Sequence, residues 1–558
     1  MLEDPAVAIE KLALYAGATH VKDISAKGGN PRDFAFWPSV PGGRGIIDMP
    51  HAFAELRKHS YTGLLALEID YLHPAYESDE QAIAESIHYM RSRLWARHVA
   101  SQNPQETTMP LNKQLNIQDF LDSRPFGSFH WRILLLGLVV LILDGFDVVV
   151  MGFVAPAVVA DWRLTRAAIG PVLSMGLFGL AIGALTGGPL ADRFGRRKVI
   201  IGAILFFGLM SLASAWSPNI AVLSVMRFLT GLGLGASQPN AATLASEYAP
   251  KRYRSLMVTV IYCGFTLGAA GGGFLSSYLI PTHGWASILV IGGVVPILFA
   301  FALCFILPES VKFLAVKHGG RSALERIVNQ IEPNSADVST EFLTAEREHS
   351  GKAAIRLIVA KPHTTVTLAL WVGLFMNLMT VYFLNSWLPI IVKDNSFSLA
   401  DAALVGAMLQ VGGTLGNIII GWEMDRFNPQ KVMIGTPLAA GIFTVALAKL
   451  SPGLFGLMTL VFLLGYCINS TNTGWTAMAA GYYPTEMRAT GTSWMTGIGR
   501  FGAISGASIG AVLISFKWNF GELFLALTVP IAIAIVAASI KGRCGGSTAP
   551  VLRNVTTR

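Results

Sequence analysis

Two aspartates, Asp144 and Asp147, stand in an otherwise apolar run from Trp131 to Val159. Spaced three apart, they fall on one face of a helix. A charged carboxylate at the centre of a bilayer costs about 2.5–3.5 kcal/mol on insertion scales, so such residues face a wet cavity or a partner. An acid held there can take up a proton on one side and release it on the other; the plainer reading is a bond to a neighbouring helix. Two arginines, Arg227 and Arg500, also lie inside apolar runs. Arg500 is about twelve residues into its run, or about 18 Å along a helix. A guanidinium matches a carboxylate bidentately and stays charged at any working pH. One of the two is therefore expected to bind the carboxylate of a substrate, while the other serves Asp144 or Asp147 as counter-ion. The competing reading pairs both arginines with the aspartates.

A ring next to such a carboxylate would need aromatic and amide walls. Asn377, Tyr382, Asn385 and Trp387 in the seventh apolar run and Asn469, Asn472 and Trp475 in the tenth supply both types. An amide at that depth can hydrogen-bond a ring hydroxyl, and an indole or phenol can stack on the ring. Equally, aromatics in such runs pack helices and amides join them.

The elements that must position these groups follow from composition. Of 558 residues, 53% are hydrophobic and 14% charged, with mean hydropathy +0.52; an ordinary soluble domain is about 25% charged. The chain reads as an all-α polytopic membrane protein. Its net charge of +8 is spread over short loops rather than gathered on a face, which argues for topology and against nucleic acid. The four cysteines show no paired spacing, so neither a disulfide framework nor a zinc site is expected, and no cofactor is implied. No apolar core of a secretory leader follows Met1.

From Trp131 to Ile540 there are twelve apolar runs, each long enough to cross a bilayer. They divide as 131–307 and 364–540, two six-span bundles joined by a polar stretch, 308–363. A polar linker, 101–130, precedes them and a tail, 541–558, follows. Arg193, Arg196, Arg197, Lys198, Lys251, Arg252, Arg254, Arg426, Lys431 and Arg488 fall in loops on one side, whereas the opposite loops hold about five basic residues, among them Arg163, Arg166 and Lys517. The positive-inside rule then puts both termini and the central stretch in the cytoplasm. The halves repeat: Asp192-Arg193-Phe194 is echoed by Asp425-Arg426-Phe427, 233 residues on, while Pro250 and Gly231 are echoed by Pro484 and Gly465, each 234 on. This is the mark of a parallel duplication, in which a substrate site lies between the halves. The glycines from Gly231 to Gly235 and from Gly271 to Gly273 follow no strand and are expected at close helix contacts rather than around a phosphate.

Residues 1–100 read differently, as a small soluble α/β unit. Ala6–Tyr15, Pro50–His59 and Asp79–Ala96 have helical patterning, with short strands at Thr19–Asp23 and Leu64–Ile69. Thr19-His20-Val21-Lys22-Asp23, Pro41 to Asp48 and Tyr61 to Glu68 resemble the C-terminal end of a xylose-isomerase-like sugar phosphate isomerase/epimerase barrel. The resemblance implies an incomplete TIM barrel in which His20 and Glu68 are vestigial metal ligands. Two βα units cannot close a barrel, so a complete metal site and turnover are not expected.

Gly188-Pro189-Leu190-Ala191-Asp192-Arg193-Phe194-Gly195-Arg196-Arg197 resembles the loop between the second and third spans of the major facilitator superfamily. Asp144-Gly145-Phe146-Asp147, Arg227 with Gly231-Leu232-Gly233-Leu234-Gly235, Pro239-Asn240 and Ser246-Glu247-Tyr248 resemble its aromatic acid:H+ symporter family. At Gln430 the chain departs from members that carry histidine. The superfamily resemblance implies that Asp192, with Arg193, Arg196 and Arg197, latches the outward-facing state through an ion pair that breaks when the halves rock. Asp425 and Arg426 would serve the second half, and Glu247 with Arg254 and Arg488 would complete the network. The function implied is proton-coupled uptake of an aromatic carboxylate such as 4-hydroxybenzoate, protocatechuate or benzoate, by a monomer in a bacterial inner membrane. Alternatives are a carrier of a quinate- or shikimate-like acid, or a bifunctional isomerase-transporter truncated at its N-terminus.

Overall fold

The computed structural model describes residues 18–21, 23–24, 39–40, 48–58, 64–67, 79–94, 114–316, 321–332, 335, 340–343, 358–360, 363–450 and 453–544. The chain forms two units, Met1–Leu111 and Asn112–Arg558.

In the first unit, Ala18–Val21 pairs in parallel with Leu64–Leu67, His20 opposite Ala66, and Asp23–Ile24 pairs antiparallel with Ser39–Val40. Helices Met49–Lys58 and Asp79–Leu94 complete what is described. The parallel pair agrees with a strand–helix–strand reading. The expected helix at Ala6–Tyr15, the side chain of His20 and all of Glu68 lie outside the described residues.

The second unit contains twelve helices long and apolar enough to cross a membrane. They are α1 (Ser128–Asp161), α2 (Gly170–Phe194), α3 (Arg196–Ser214), α4 (Ile220–Tyr248), α5 (Arg254–His283), α6 (Ala286–Ile306), α7 (Thr364–Asp394), α8 (Leu399–Arg426), α9 (Pro429–Lys449), α10 (Leu454–Tyr482), α11 (Thr485–Ser515) and α12 (Phe520–Cys544). A helix satisfies its own backbone polar groups, which lipid cannot do. Polar residues mark where several begin: Asn219 accepts from the Val222 N–H at α4, Asn428 from those of Gln430 and Lys431 at α9, and Ser398 from that of Asp401 at α8.

The duplication extends to packing. In the first half α1 lies against α5 and α2 against α4; in the second α7 lies against α11 and α8 against α10. Glycine sets these approaches, because lipid offers no hydrophobic drive and contact must come from close packing. A Cβ on Gly179 or Gly183 would fall 2.0 Å from a carbonyl of α4, and one on Gly412 or Gly416 would fall 2.0 or 2.4 Å from a carbonyl of α10. Gly231 and Gly235 meet α2 in the same way, as their sequence context suggests. The turns match as well: Arg163 after α1 and Ser396 after α7, again 233 apart, are both left-handed (φ 53° and 71°).

Part of the expected linker is ordered. Gln114–Asn116 pairs in parallel with Glu341–Leu343 of the central stretch. Ile117, Phe120 and Leu121 share a core with Leu324, Ile327 and Val328 of helix Arg321–Ile331. Asp122 accepts from the Lys251 N–H at 2.7 Å and pairs with Arg254 at 3.7 Å. The lead-in and central stretch are thus fastened to the first half.

Candidate functional site

The two aspartates of α1 point into the protein, 1% and 3% exposed, and their surroundings differ. Asp147 pairs with Arg227 of α4 at 3.2 Å and accepts the Ser211 hydroxyl of α3 at 2.6 Å. The Arg227 guanidinium also donates to Ser214 at 2.8 Å. The Asp147 charge is therefore fully met. Asp144 has no such cation among the described ion pairs; it accepts from the Ser237 hydroxyl of α4 at 3.0 Å. A cavity of about 30 Å3 borders Asp147 and Arg227, walled by Val148, Met151, Leu173 and Gly231 among others. That is room for one or two waters and too little for an aromatic ring.

Arg500 projects from α11 across to the first half, where it donates to the Leu180 carbonyl at 3.0 Å. It meets no carboxylate among the described ion pairs. Two phenols lie within its electrostatic reach, Tyr382 of α7 and Tyr262 of α5, and Tyr262 also feels Asp144. Tyr262 is 44% exposed, yet at 3.6 residues per turn it stands about 140° around α5 from outward-facing Leu267 and about 120° from Phe274. It faces the interior. Of the two arginines, then, Arg227 holds an aspartate and Arg500 meets none among the described ion pairs.

The remaining ring-binding candidates divide. Asn377 is buried with its amide nitrogen unpartnered, which leaves a donor at that depth. Asn385 is engaged by Gln410 at 2.7 Å within the second half. Asn469 donates to the Gly465 carbonyl of its own helix, and Asn472 is half-buried. Trp387 is wholly buried, its indole donating to the Ala507 carbonyl at 2.7 Å; Trp475 is wholly buried against Gly373. Both fill helix interfaces in this conformation.

At the basic end Asp192, Arg193, Asp425 and Arg426 are exposed. Arg193 lies over Phe194, and Arg426 over Trp422. In this conformation Arg254 and Arg488 are not among the described partners of Glu247. Glu247 pairs with Arg196 at 2.9 Å and accepts from Ser310, while Arg254 turns to Asp122 and Arg488 donates to the Tyr483 carbonyl. Arg197 donates through its backbone to Glu309. These described ion pairs stay within the first half and its lead-in.

The opposite end is closed between the halves. Arg166 pairs with Asp394 at 3.0 Å, Phe153 packs on Gly406, and a Cβ on Gly152 of α1 would fall 2.0 Å from the Asn385 carbonyl of α7. Gly152→Leu is expected to prop these helices apart. A cysteine replacing Ser386, 7% exposed in this interface, should then react with a thiol reagent faster than it does beside Gly152, in a background without the four native cysteines.

Sequence reasoning missed Ser211, Ser214, Ser237 and Tyr262. The first two are three apart in an apolar run, the spacing that exposed the aspartates, but single hydroxyls occur too often in such runs to stand out.

The chain matches the Major Facilitator Superfamily over residues 137–390 and 370–543. The 4-hydroxybenzoate transporter PcaK of Pseudomonas putida is 46% identical over 433 residues, 77% of this chain and 97% of that protein. The gallate transporter of Pseudomonas putida is 43% identical, over 78% of this chain and 96% of its own length. The xylose transporter XylE from E. coli, solved in an inward open conformation, is similar in fold, with a TM-score of 0.58 at 17% identity over 74% of this chain and 96% of that one. The matched family residues begin at 137, so the barrel resemblance of residues 1–100 gains nothing from them. Twelve spans in two repeated halves, matched along nearly the whole length of these relatives, make the chain a member of the major facilitator superfamily: a multi-pass membrane transporter and not an enzyme.

Proposed function

We propose that this transporter imports an aromatic carboxylate together with a proton, by alternating access across a bacterial inner membrane. The observation that carries this reading is the division of labour between the buried charges: Arg227 is committed to Asp147, while Arg500 donates to the Leu180 carbonyl and meets no carboxylate among the described ion pairs. Arg500 would clamp the substrate carboxylate, with Tyr262, Tyr382 and Asn377 reading the ring. The aromatic cargo draws support from the 4-hydroxybenzoate and gallate transporters that the chain resembles over most of its length.

Asp144 is then the proton site. Among the described residues its charge meets the Ser237 hydroxyl and no cation, so protonation lowers the cost of enclosing it. Asp147, neutralised by Arg227, keeps its charge through the cycle. One proton with a monoanion makes transport electroneutral, so uptake follows the pH gradient alone; a second proton would add about 2.3 kcal/mol per 100 mV. With both termini and the basic loops in the cytoplasm, the closed Arg166–Asp394 end faces outward and the conformation is inward-facing. Asp192 and Asp425 with their arginines would close the cytoplasmic end in the other state. The carrier would work as a monomer. Residues 1–100 would be a barrel-like fragment without turnover, a reading supported by one parallel strand pair, Ala18–Val21 with Leu64–Leu67.

The test is uptake of labelled 4-hydroxybenzoate into proteoliposomes under an imposed pH gradient, with and without a potassium diffusion potential. Accumulation should require the gradient, ignore the potential and be lost in Asp144→Asn, which should still exchange substrate across the membrane. Accumulation without a gradient, or undiminished in Asp144→Asn, would sink the proposal.

A further inference from the structure

Ser237 stands between two acceptors. Its Oγ lies 3.0 and 3.1 Å from the two carboxylate oxygens of Asp144 and 3.0 Å from the Leu234 carbonyl. A hydroxyl carries one proton and two lone pairs, so it cannot donate to both at once. We propose that Ser237 is the positioning residue that lets Asp144 gain and lose its proton without moving, an inference that rests on the proton-coupled reading above.

The two states follow from hydrogen bookkeeping. With Asp144 ionised, the Ser237 O–H donates to the carboxylate. When a proton arrives, the new carboxyl O–H donates to Ser237 Oγ, and the serine proton rotates to the Leu234 carbonyl, whose second lone pair is free of the helix ladder. One O–H bond forms, at Asp144, as one breaks in the hydronium ion that delivers the proton from the aqueous side; the Ser237 O–H only rotates. Both states keep every donor paired at the observed distances, so no buried polar group is stranded in either. Leu234 also borders the small cavity beside Asp147 and Arg227, which brings the far acceptor of the switch to the edge of a space that admits water.

The charged and titratable groups facing Asp144 are Asp147 on its own helix, Arg227 on α4, Tyr262 on α5 and, beyond it, Arg500 on α11. Asp147, itself paired with Arg227, acts on Asp144 as a like charge, and no cation answers Asp144 among the described ion pairs. That leaves Ser237 as the donor which decides how readily Asp144 ionises. The plainer account is a serine that back-bonds its own helix, as serines in spans often do. The two accounts part on pH dependence, because a back-bonded serine would leave the proton affinity of Asp144 alone.

The experiment measures 4-hydroxybenzoate uptake by the reconstituted full-length carrier as external pH is varied at fixed internal pH. Uptake falls on the alkaline side as Asp144 ceases to load its proton. Ser237→Ala removes the donor to the ionised form, makes that form costlier and should move this limb about one pH unit or more upward. Ser237→Thr keeps the hydroxyl and should return the limb to the wild-type position. Should the alanine variant not assemble, Ser237→Cys, a poorer donor of similar shape, should move the limb in the same direction by less. An unmoved limb in Ser237→Ala or Ser237→Cys, or an equal shift in Ser237→Thr, overturns the inference and leaves proton coupling intact. Wild-type uptake indifferent to the gradient would instead remove the reading beneath it.

Discussion

Asp147→Asn is expected to lose most of the correctly assembled carrier. Arg227 is 2% exposed, and in the native protein its charge is answered by Asp147 at 3.2 Å. Asparagine can still accept a hydrogen bond but no longer cancels the charge. Removing one member of a buried ion pair costs about 3–5 kcal/mol, against a total stability of about 5–15 kcal/mol for a typical domain. The Ser211 hydroxyl, which donates to Asp147 at 2.6 Å, would also lose a charged acceptor. Thermal melting of purified protein in detergent reads the effect directly. The double variant Asp147→Asn/Arg227→Gln, which removes both charges together, should recover much of the melting temperature. Asp144→Asn is the internal control: it strands no cation, keeps an acceptor for Ser237, and should melt close to wild type. Equal melting of Asp147→Asn and Asp144→Asn would show that the two acids are not divided as described.

The contrast between these acids marks where the sequence stops informing. That Asp144 and Asp147 share a helix face follows from spacing, and that charge at such depth is purposeful follows from its cost in lipid. The twelve spans and the repeat were equally legible, since apolar length and the 233–234-residue offset survive without any knowledge of packing. Partner choice was not. Whether Arg227 or Arg500 meets an aspartate depends on how α4 and α11 are rotated and how deep each residue lies, and no local pattern encodes that. The setting of the tryptophans was hidden for the same reason: Trp387 and Trp475 share spans with candidate cavity residues but turn to helix interfaces. Gly510 and Gly373 on the facing helices make room for them, a correspondence visible only once the helices are paired. The strand Gln114–Asn116 was hidden because its partner, Glu341–Leu343, lies more than two hundred residues away in a polar stretch.

Arg500→Lys is expected to raise the KM for 4-hydroxybenzoate by at least about tenfold while leaving the alkaline limb of the pH profile in place. Lysine keeps the positive charge and a long apolar stem but replaces a planar fork with a point charge, so a carboxylate held by two parallel hydrogen bonds would keep at most one. Hydrogen bonds to charged groups contribute about 1.5–3 kcal/mol each, which sets the tenfold floor. The Leu180 carbonyl is an uncharged acceptor in the other half, so loss of that contact bears on the resting geometry rather than on recognition of an anion. A competitor separates these effects: 4-hydroxybenzamide has the shape of the substrate without its charge. The wild type should reject it strongly in competition for uptake, whereas Arg500→Lys should discriminate less between acid and amide, because the fork that rewards a carboxylate is gone. If KM and the acid-to-amide ratio both stay at wild-type values, Arg500 does not hold the carboxylate. Asn377, with its unpartnered amide, and Tyr262 would then be the donors to test next.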